Sequence, residues 1–138
     1  MPHFNAAELE RALGESGIVY RHFPELGGRR DPARDSRNRG WRVGQFQGYA
    51  DHMASEEFER GLERLLALAG EPRTAIMCAE AQWWRCHRRL LSDALLVRGL
   101  MVVPLGARDG GQRHELTPFA VVDGDRVTYP PAQARLEV

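Results

Sequence analysis

The residues of this chain that are best suited to chemistry lie between positions 78 and 88. Both cysteines of the chain, Cys78 and Cys86, stand in this stretch. A thiolate is a strong nucleophile, and a second thiol nearby allows reversible oxidation. Carboxylate and imidazole groups can move protons, and guanidinium groups can hold anions. The other candidates for these roles are Glu80 and His87 for proton transfer, and Arg85 and Arg88 for anion binding.

The hydrophobic pattern predicts that this stretch connects a strand to a helix. An apolar run predicts a strand over Thr74–Cys78, and an amphipathic pattern predicts a helix over Cys86–Arg98 that Gly99 ends. Leu100–Val103 is typical of a second buried strand. A strand, a helix and a strand within about thirty residues make a βαβ unit with parallel strands. The candidate residues then lie at the carboxyl end of a strand, where open α/β sheets bind ligands.

Each of these residues also has an ordinary structural interpretation. Cysteine is often buried for packing, Arg88 could be a solvated helix residue, and Glu80 a loop carboxylate. The start of a helix nevertheless favours anions and disfavours cations, so His87 and Arg88 should be stabilised there by something else. A bound anion or an ion pair with Glu80 would do this. We expect Cys86, at the helix start, to be the more reactive thiol. Cys78, at the end of a buried strand, should be the less reactive one.

Length and composition bound the remaining possibilities. The 138 residues predict one domain, residues 1–138, with formal net charge zero, so no overall basic field draws the chain onto nucleic acid or membrane. All nineteen basic residues are arginine, which excludes a lysine Schiff base and a phosphate-loop lysine. Two cysteines do not make a disulfide scaffold, and no signal peptide or membrane-spanning run is present. We therefore expect a cytoplasmic protein with reduced thiols.

The other local patterns complete an α/β prediction. Asn5 and Glu8 predict a helix start that Gly14 and Gly17 follow, and Ser55 opens the clearest helix, ending at Gly70. The expected fold is three-layered, with a mostly parallel sheet, flanking helices, a long Arg/Gly-rich loop and a C-terminal hairpin. This predicted fold also includes a strand at Ile18–Phe23, the loop at Pro24–Gly44, and the hairpin at Phe119–Tyr129, which turns at Asp123-Gly124.

Four segments together resemble a known family, domain of unknown function 488. They are Tyr20 to Arg30 (which contains Tyr-Arg-His-Phe-Pro-Glu-Leu-Gly-Gly), Phe46 to Met53, Cys78-Ala79-Glu80, and Cys86-His87-Arg88. The resemblance covers nearly the whole chain. It implies a small cytosolic α/β protein whose shared residues gather in one cleft, and it implies no settled reaction. Members usually begin with a strand, a helix and a second strand ending in Asp-Val-Arg, which we expect this chain to lack because it starts at Met1-Pro2-His3.

The first shared segment adds candidates to the site. His22 follows a predicted strand, on the side of the sheet where Cys78 should emerge, and is a further proton-transfer candidate. Gly27 and Gly28 would let the backbone approach a ligand, and Arg29 could then reach phosphate or carboxylate oxygens. The resemblance adds Tyr20 to the binding residues. The alternative is a plain turn with solvated arginines.

Several sharper assignments fail on spacing. A cysteine phosphatase needs five residues between its cysteine and arginine, whereas six separate Cys78 from Arg85. No Gly-x-Gly-x-x-Gly opens a helix, which argues against a dinucleotide cofactor. Zinc could be bound by Cys78, Cys86 and either His22 or His87, but adjacent residues such as Cys86 and His87 rarely bind one metal together. We therefore predict neither a metal nor another cofactor.

Two functions remain open, and the residues do not decide whether the protein is an enzyme. The first is an enzyme acting on a phosphorylated, nucleotide-like or nucleic-acid-end substrate, with Cys86 or Cys78 as nucleophile. The second is a non-catalytic module that binds a small anion or senses redox state through its two thiols. The expected partner is a small anionic ligand or nucleotide-like substrate, without a membrane, and nucleic acid stays open as a partner despite the zero net charge. If the family's front elements are absent, another subunit or the hairpin should cover an exposed apolar face or strand edge, so we also expect self-association of the chain.

Overall fold

The computed structural model describes residues 6–28, 30–69, 73–78, 86–105 and 112–132. Helices and one small hairpin make up the regular structure of these residues. None of their helices has both the length and the apolar character that crossing a bilayer requires. In chain order the elements are α1 (Ala6–Glu15), the 3₁₀ turn η1 (Pro24–Leu26), α2 (Gly44–His52), α3 (Glu56–Leu68), α4 (Arg88–Val97), β1 (Val121–Asp123) and β2 (Arg126–Thr128).

Local capping signals define the end of α1 and the start of α3, as the sequence predicted. At the end of α1, Gly17 adopts φ +76° and the Ile18 N–H donates to the Leu13 carbonyl. At the start of α3, the Ser55 hydroxyl accepts the Phe58 N–H at 3.1 Å. The predicted start at Asn5 and the predicted end at Gly70 lie outside the described residues.

Helix α4 confirms a prediction, whereas α2 was missed. Gly99, with φ +90°, ends the last turn of α4, and the Leu100 N–H donates to the Leu95 carbonyl. Helix α2 follows the segment predicted as a loop and has no side-chain cap at its start. Its sequence lacks a long apolar stripe, so its amphipathic pattern is weak. A short buried face around Tyr49 holds the helix in place by packing.

The predicted hairpin forms at the C-terminal side of the described residues. Strands β1 and β2 pair antiparallel, with Val122 opposite Val127. Gly124 takes the positive φ of +62° that the tight turn requires. This is the one sheet among the described residues.

The predicted three-layer parallel sheet is not formed in the described part of the chain. Ile18–Phe23, Thr74–Cys78 and Leu100–Val103 are irregular, and none of them joins a β-ladder there. Two large apolar side chains at the start of the first segment stay in solvent, Ile18 at 53% and Val19 at 72% exposed. The physical reason is that the helices bury their apolar faces against one another and the hairpin, so no covered sheet face is created. A mixed helix-and-strand fold is observed.

The core lies between α2, α3, α4 and the hairpin. Tyr49 of α2, Phe58 and Leu62 of α3, and Leu90 of α4 are essentially inaccessible to solvent. Trp41 joins this core through edge-on ring contacts with Phe46 and Phe119. The core fixes α2 and the start of α4 relative to each other, and the candidate site lies at that junction. The remaining core residues are Leu26, Ala50, Met53, Leu65, Leu91, Ala94, Leu95, Val127 and Tyr129.

Candidate functional site

The two cysteines of the chain meet in the folded structure. Cys78 lies in the irregular segment 73–78, and Cys86 lies two residues before α4. Their Sγ atoms are 2.9 Å apart, and both residues carry thiols rather than a disulfide. The two sulfurs are in direct contact, and either one can be the hydrogen-bond donor. The pair can therefore share one proton.

The start of α4 determines where the Cys86 sulfur points. The Arg89 N–H donates to the Cys86 carbonyl and the Leu91 N–H to the His87 carbonyl, which closes the first turn. The residue at the cap position, His87, supplies no side-chain cap. Instead the Arg88 N–H donates to Cys86 Sγ at 3.4 Å. Because the first N–H groups of a helix lack intrahelical partners, the sulfur takes the place of a capping oxygen.

The contacts of Cys86 favour the thiolate. Burial, the largest single influence, raises the pKa of this thiol, but hydrogen bonds with His87, Cys78 and Arg88 together lower the pKa to about 6. His87 Nδ1 lies 3.5 Å from Cys86 Sγ. Cys86 is therefore mainly ionised at neutral pH. The residue is only 5% exposed, whereas Cys78 is partly exposed, which reverses the burial expected from the sequence.

His87 is held in place by the segment after η1 and by α2. A Cβ added at Gly28 would lie 2.6 Å from His87 Nδ1, so a residue without a side chain is needed there. The Tyr49 ring packs against the imidazole with centroids 5.1 Å apart. Burial raises the pKa of Tyr49 well above its usual range, so its hydroxyl stays protonated and donates to the Leu26 carbonyl at 2.9 Å. The first shared segment thus positions the imidazole beside the thiolate.

The other candidates from the first shared segment have different surroundings. The Gly27 N–H donates to the Pro24 carbonyl, and Arg30 donates back to the carbonyls of Gly27 and Pro24, both at 3.3 Å. His22 is exposed and Tyr20 partly exposed, and neither hydrogen-bonds to the cysteine pair. Three further candidates lie outside the described residues: Arg29, Glu80 and Arg85.

The donor atoms of Cys78, Cys86 and His87 lie within 4.8 Å of one another and suit a thiophilic metal by type. A tetrahedral zinc ion with Zn–S bonds of about 2.3 Å keeps two sulfurs roughly 3.7 Å apart. The observed separation of 2.9 Å is shorter, and a metal between the sulfurs would push them apart.

A second polar cluster, not predicted as such, lies in the core behind the site. Asp93 of α4 is fully buried and accepts hydrogen bonds from the Thr117 N–H at 3.1 Å and the Tyr129 hydroxyl at 2.7 Å. His114 also contacts this carboxylate, with Nε2 2.7 Å from Asp93 Oδ1. The signal in the sequence was a carboxylate between Leu91 and Ala94 on the apolar face of a helix. Such a residue must be satisfied by partners distant in sequence.

Comparison with known proteins gives one family. The chain matches the family model described as domain of unknown function DUF488 over residues 1–95. The match includes both cysteines, His87 and the Gly28 segment, and it ends within α4, earlier than the near-complete coverage expected from the residues. Neither a search of curated proteins nor a search of solved structures gave a significant match. Because the match extends over 1–95 of 138 residues, the chain belongs to the domain of unknown function 488 family.

Proposed function

We propose that this protein is a dithiol–disulfide module, in which Cys78 and Cys86 are reversibly oxidised to an intramolecular disulfide. The observation that carries the proposal is the 2.9 Å separation of their Sγ atoms. A disulfide bond is about 2.05 Å long, so bond formation requires the sulfurs to approach by less than 1 Å. In the net reaction, the two protein thiols and one small-molecule disulfide give the protein disulfide and two small thiols.

Two further features support this function. Thiol–disulfide exchange needs a thiolate at ambient pH, and the contacts of Cys86 with His87 and Arg88 favour one. A cytoplasmic location, predicted from the sequence, is part of the proposal. In that compartment the resting form is the dithiol, and oxidation is a transient event.

The second candidate function is that of an enzyme acting on a phosphorylated or nucleotide-like substrate. The thiolate–imidazole contact between Cys86 and His87 favours it, since this pair can attack phosphorus and protonate the leaving group. Cys86, however, is almost fully buried, and a nucleotide-sized substrate needs more access than a small oxidant. Arg30 donates to two backbone carbonyls and lies 3.9 Å from Glu57, so it is already engaged with protein acceptors.

Mass spectrometry after oxidation with glutathione disulfide tests the first function. The reduced protein should lose the mass of two hydrogens, and the peptides containing Cys78 and Cys86 should become cross-linked. The variants Cys78→Ser and Cys86→Ser are matched controls, because each keeps one of the only two cysteines. Stable mixed disulfides on both cysteines of the wild type, without a cross-link, would contradict the proposal. Protection of Cys86 from iodoacetamide by phosphate or a nucleotide, retained in Cys78→Ser, would favour the enzyme instead.

A further inference from the structure

We propose that external thiols reduce the Cys78–Cys86 disulfide by attacking Cys78, so that Cys86 leaves as the thiolate and the protein acts as an oxidant of thiols. This inference rests on the proposed function and deepens it by naming the substrate class and the sulfur that is attacked. Two independent observations support it, the unequal exposure of the two residues and the contacts that receive the leaving sulfur.

Access to the two residues differs. Cys86 is 5% exposed and lies two residues before α4, whereas Cys78 is partly exposed. The residue before it, Met77, is 56% exposed, so this part of the segment 73–78 faces solvent. The rate of thiol–disulfide exchange depends on which sulfur an incoming thiolate can reach. Exposure therefore favours attack at Cys78.

The surroundings of Cys86 suit a leaving group. Its sulfur accepts the Arg88 N–H at 3.4 Å and lies 3.5 Å from His87 Nδ1, and the positive end of the α4 dipole adds to both. A thiol with a low pKa leaves faster from a disulfide. The same contacts stabilise the reduced protein relative to its disulfide, which makes the couple more oxidising.

The atoms and electrons balance in two exchanges. An external thiolate attacks Cys78 Sγ, the Cys78–Cys86 bond breaks, and its electron pair goes to Cys86 Sγ. A second external thiolate attacks the external sulfur of the mixed disulfide on Cys78. This step releases a small-molecule disulfide, and the Cys78 thiolate takes a proton from solvent. Two external thiols are oxidised, and one protein disulfide is reduced to a dithiol.

Rapid acid quenching with glutathione as the probe identifies the attacked sulfur. The oxidised wild-type protein is mixed with reduced glutathione, quenched with acid, and mapped by peptide mass spectrometry. We expect glutathione on Cys78, with Cys86 recovered as a thiol, in about tenfold excess over the opposite product. Glutathione found mainly on Cys86 would overturn the inference while leaving the proposed function intact. Failure of the wild type to form the intramolecular disulfide would overturn both.

A histidine variant and a surface control test the leaving-group argument separately. His87→Asn removes the imidazole next to Cys86, and Gln45→Asn alters an exposed side chain on α2 that is not part of the candidate site. We expect reduction by glutathione to slow in His87→Asn by about threefold for each unit by which the pKa of Cys86 rises. Reduction of Gln45→Asn should keep the wild-type rate. Equal rates in all three proteins would remove the role assigned to the Cys86 surroundings.

Discussion

The sulfur of Cys86 combines properties that usually exclude each other in a cysteine. Burial alone makes a thiol inert, because it disfavours the charged form. Here the backbone N–H of Arg88 and the imidazole of His87 contact the sulfur directly, and the thiol of Cys78 supplies a further hydrogen bond. The pKa of Cys86 falls to about 6 as a result. Reactivity at this residue is therefore limited by access and not by ionisation.

The first prediction is that iodoacetamide labels Cys86 with a pH midpoint near 6 in the reduced native protein. The limited access of iodoacetamide to Cys86 lowers the labelling rate by the same factor at every pH. The pH midpoint of the labelling curve therefore still reports the pKa of Cys86. Labelling followed peptide by peptide between pH 5 and 9 checks it. The protein unfolded in urea is the control and should give a midpoint of about 8.5. A native midpoint equal to the unfolded one would contradict the thiolate assignment.

The second prediction concerns the glycine that packs on His87. Gly28→Ala places a Cβ at 2.6 Å from His87 Nδ1, so the imidazole has to move away from Cys86. We expect the labelling midpoint of Cys86 to rise and the free energy of unfolding to fall by about 1–3 kcal/mol. Gly44→Ala is the matched control, since no atom lies within 4 Å of the added Cβ there. An unchanged midpoint in Gly28→Ala would show that His87 does not act on Cys86.

At the scale of elements, α4 connects the candidate site to the core. Its first turn carries the contacts to Cys86, and its middle carries Asp93, the centre of the buried polar cluster. Tyr129, at the end of the hairpin, binds this carboxylate through its hydroxyl, and its backbone N–H donates to Asn38 Oδ1 at 2.9 Å. The hairpin is thus joined to α4 and to the segment before α2. The cluster fixes elements whose own sequences are too short to be stable alone.

The third prediction tests this connection. Tyr129→Phe removes the hydroxyl that donates to Asp93 and leaves a buried carboxylate with one partner fewer. We expect the free energy of unfolding to fall by about 1–3 kcal/mol in urea denaturation. Burial and the adjacent Asp93 raise the pKa of Tyr129 well above its usual range, so in the wild type the hydroxyl stays protonated and donates to Asp93 at both pH 6 and pH 8. Tyr20→Phe, at a partly exposed tyrosine, should cost far less. Equal losses in both variants would contradict a special role for the cluster.

At the scale of the whole molecule, ionisation of Cys86 links stability to pH. The folded pKa of about 6 lies below the unfolded value of about 8.5, so the unfolded chain binds more protons between these limits. The fourth prediction is that this residue makes stability rise from pH 6 to pH 8.5, by at most about 1.4 kcal/mol per pH unit. The contribution is lost as the pH falls through 6.

Urea denaturation of the reduced wild type and of Cys86→Ser at several pH values measures this contribution. The titrating groups that do not contact Cys86 are common to both proteins, so they cancel in the difference between the two curves. We expect the difference to widen with rising pH between 6 and 8.5. A difference that stays constant would contradict the link.

The fifth prediction is that copies of the chain associate. Large apolar side chains remain in solvent on the irregular segments that follow α1 and α4, among them Val19 at 72%, Met101 at 61% and Leu105 at 78% exposed. Burial of such surface in an interface is favourable, and extended segments can pair along their edges. Sedimentation at rising protein concentration should show a species heavier than the monomer. Leu105→Glu should shift it towards the monomer, whereas Leu68→Glu, on α3, should not. A monomer at all concentrations would contradict the prediction.

Local patterns in the sequence were enough to predict several elements and the place of the candidate site. The serine cap of α3, the glycine that ends α4 and the Asp123-Gly124 turn each act through neighbours a few residues away, so the sequence alone determines them. The pairing of Cys78 with Cys86 is of the same kind, because one short connection joins them. Family membership also follows from the sequence, since the characteristic residues are recognisable without coordinates.

The tertiary structure decided what depends on contacts between distant segments. The pattern at Ile18–Phe23 predicted a strand, but a strand forms only when a partner strand pairs with it. Among the described residues no segment pairs with Ile18–Phe23. Packing of Gly28 against His87, and of Tyr49 against the same ring, joins segments far apart in sequence and could not be read from either one. Which cysteine is buried was likewise decided by the tertiary structure, so the assignment of an attacked and a leaving sulfur comes from the fold.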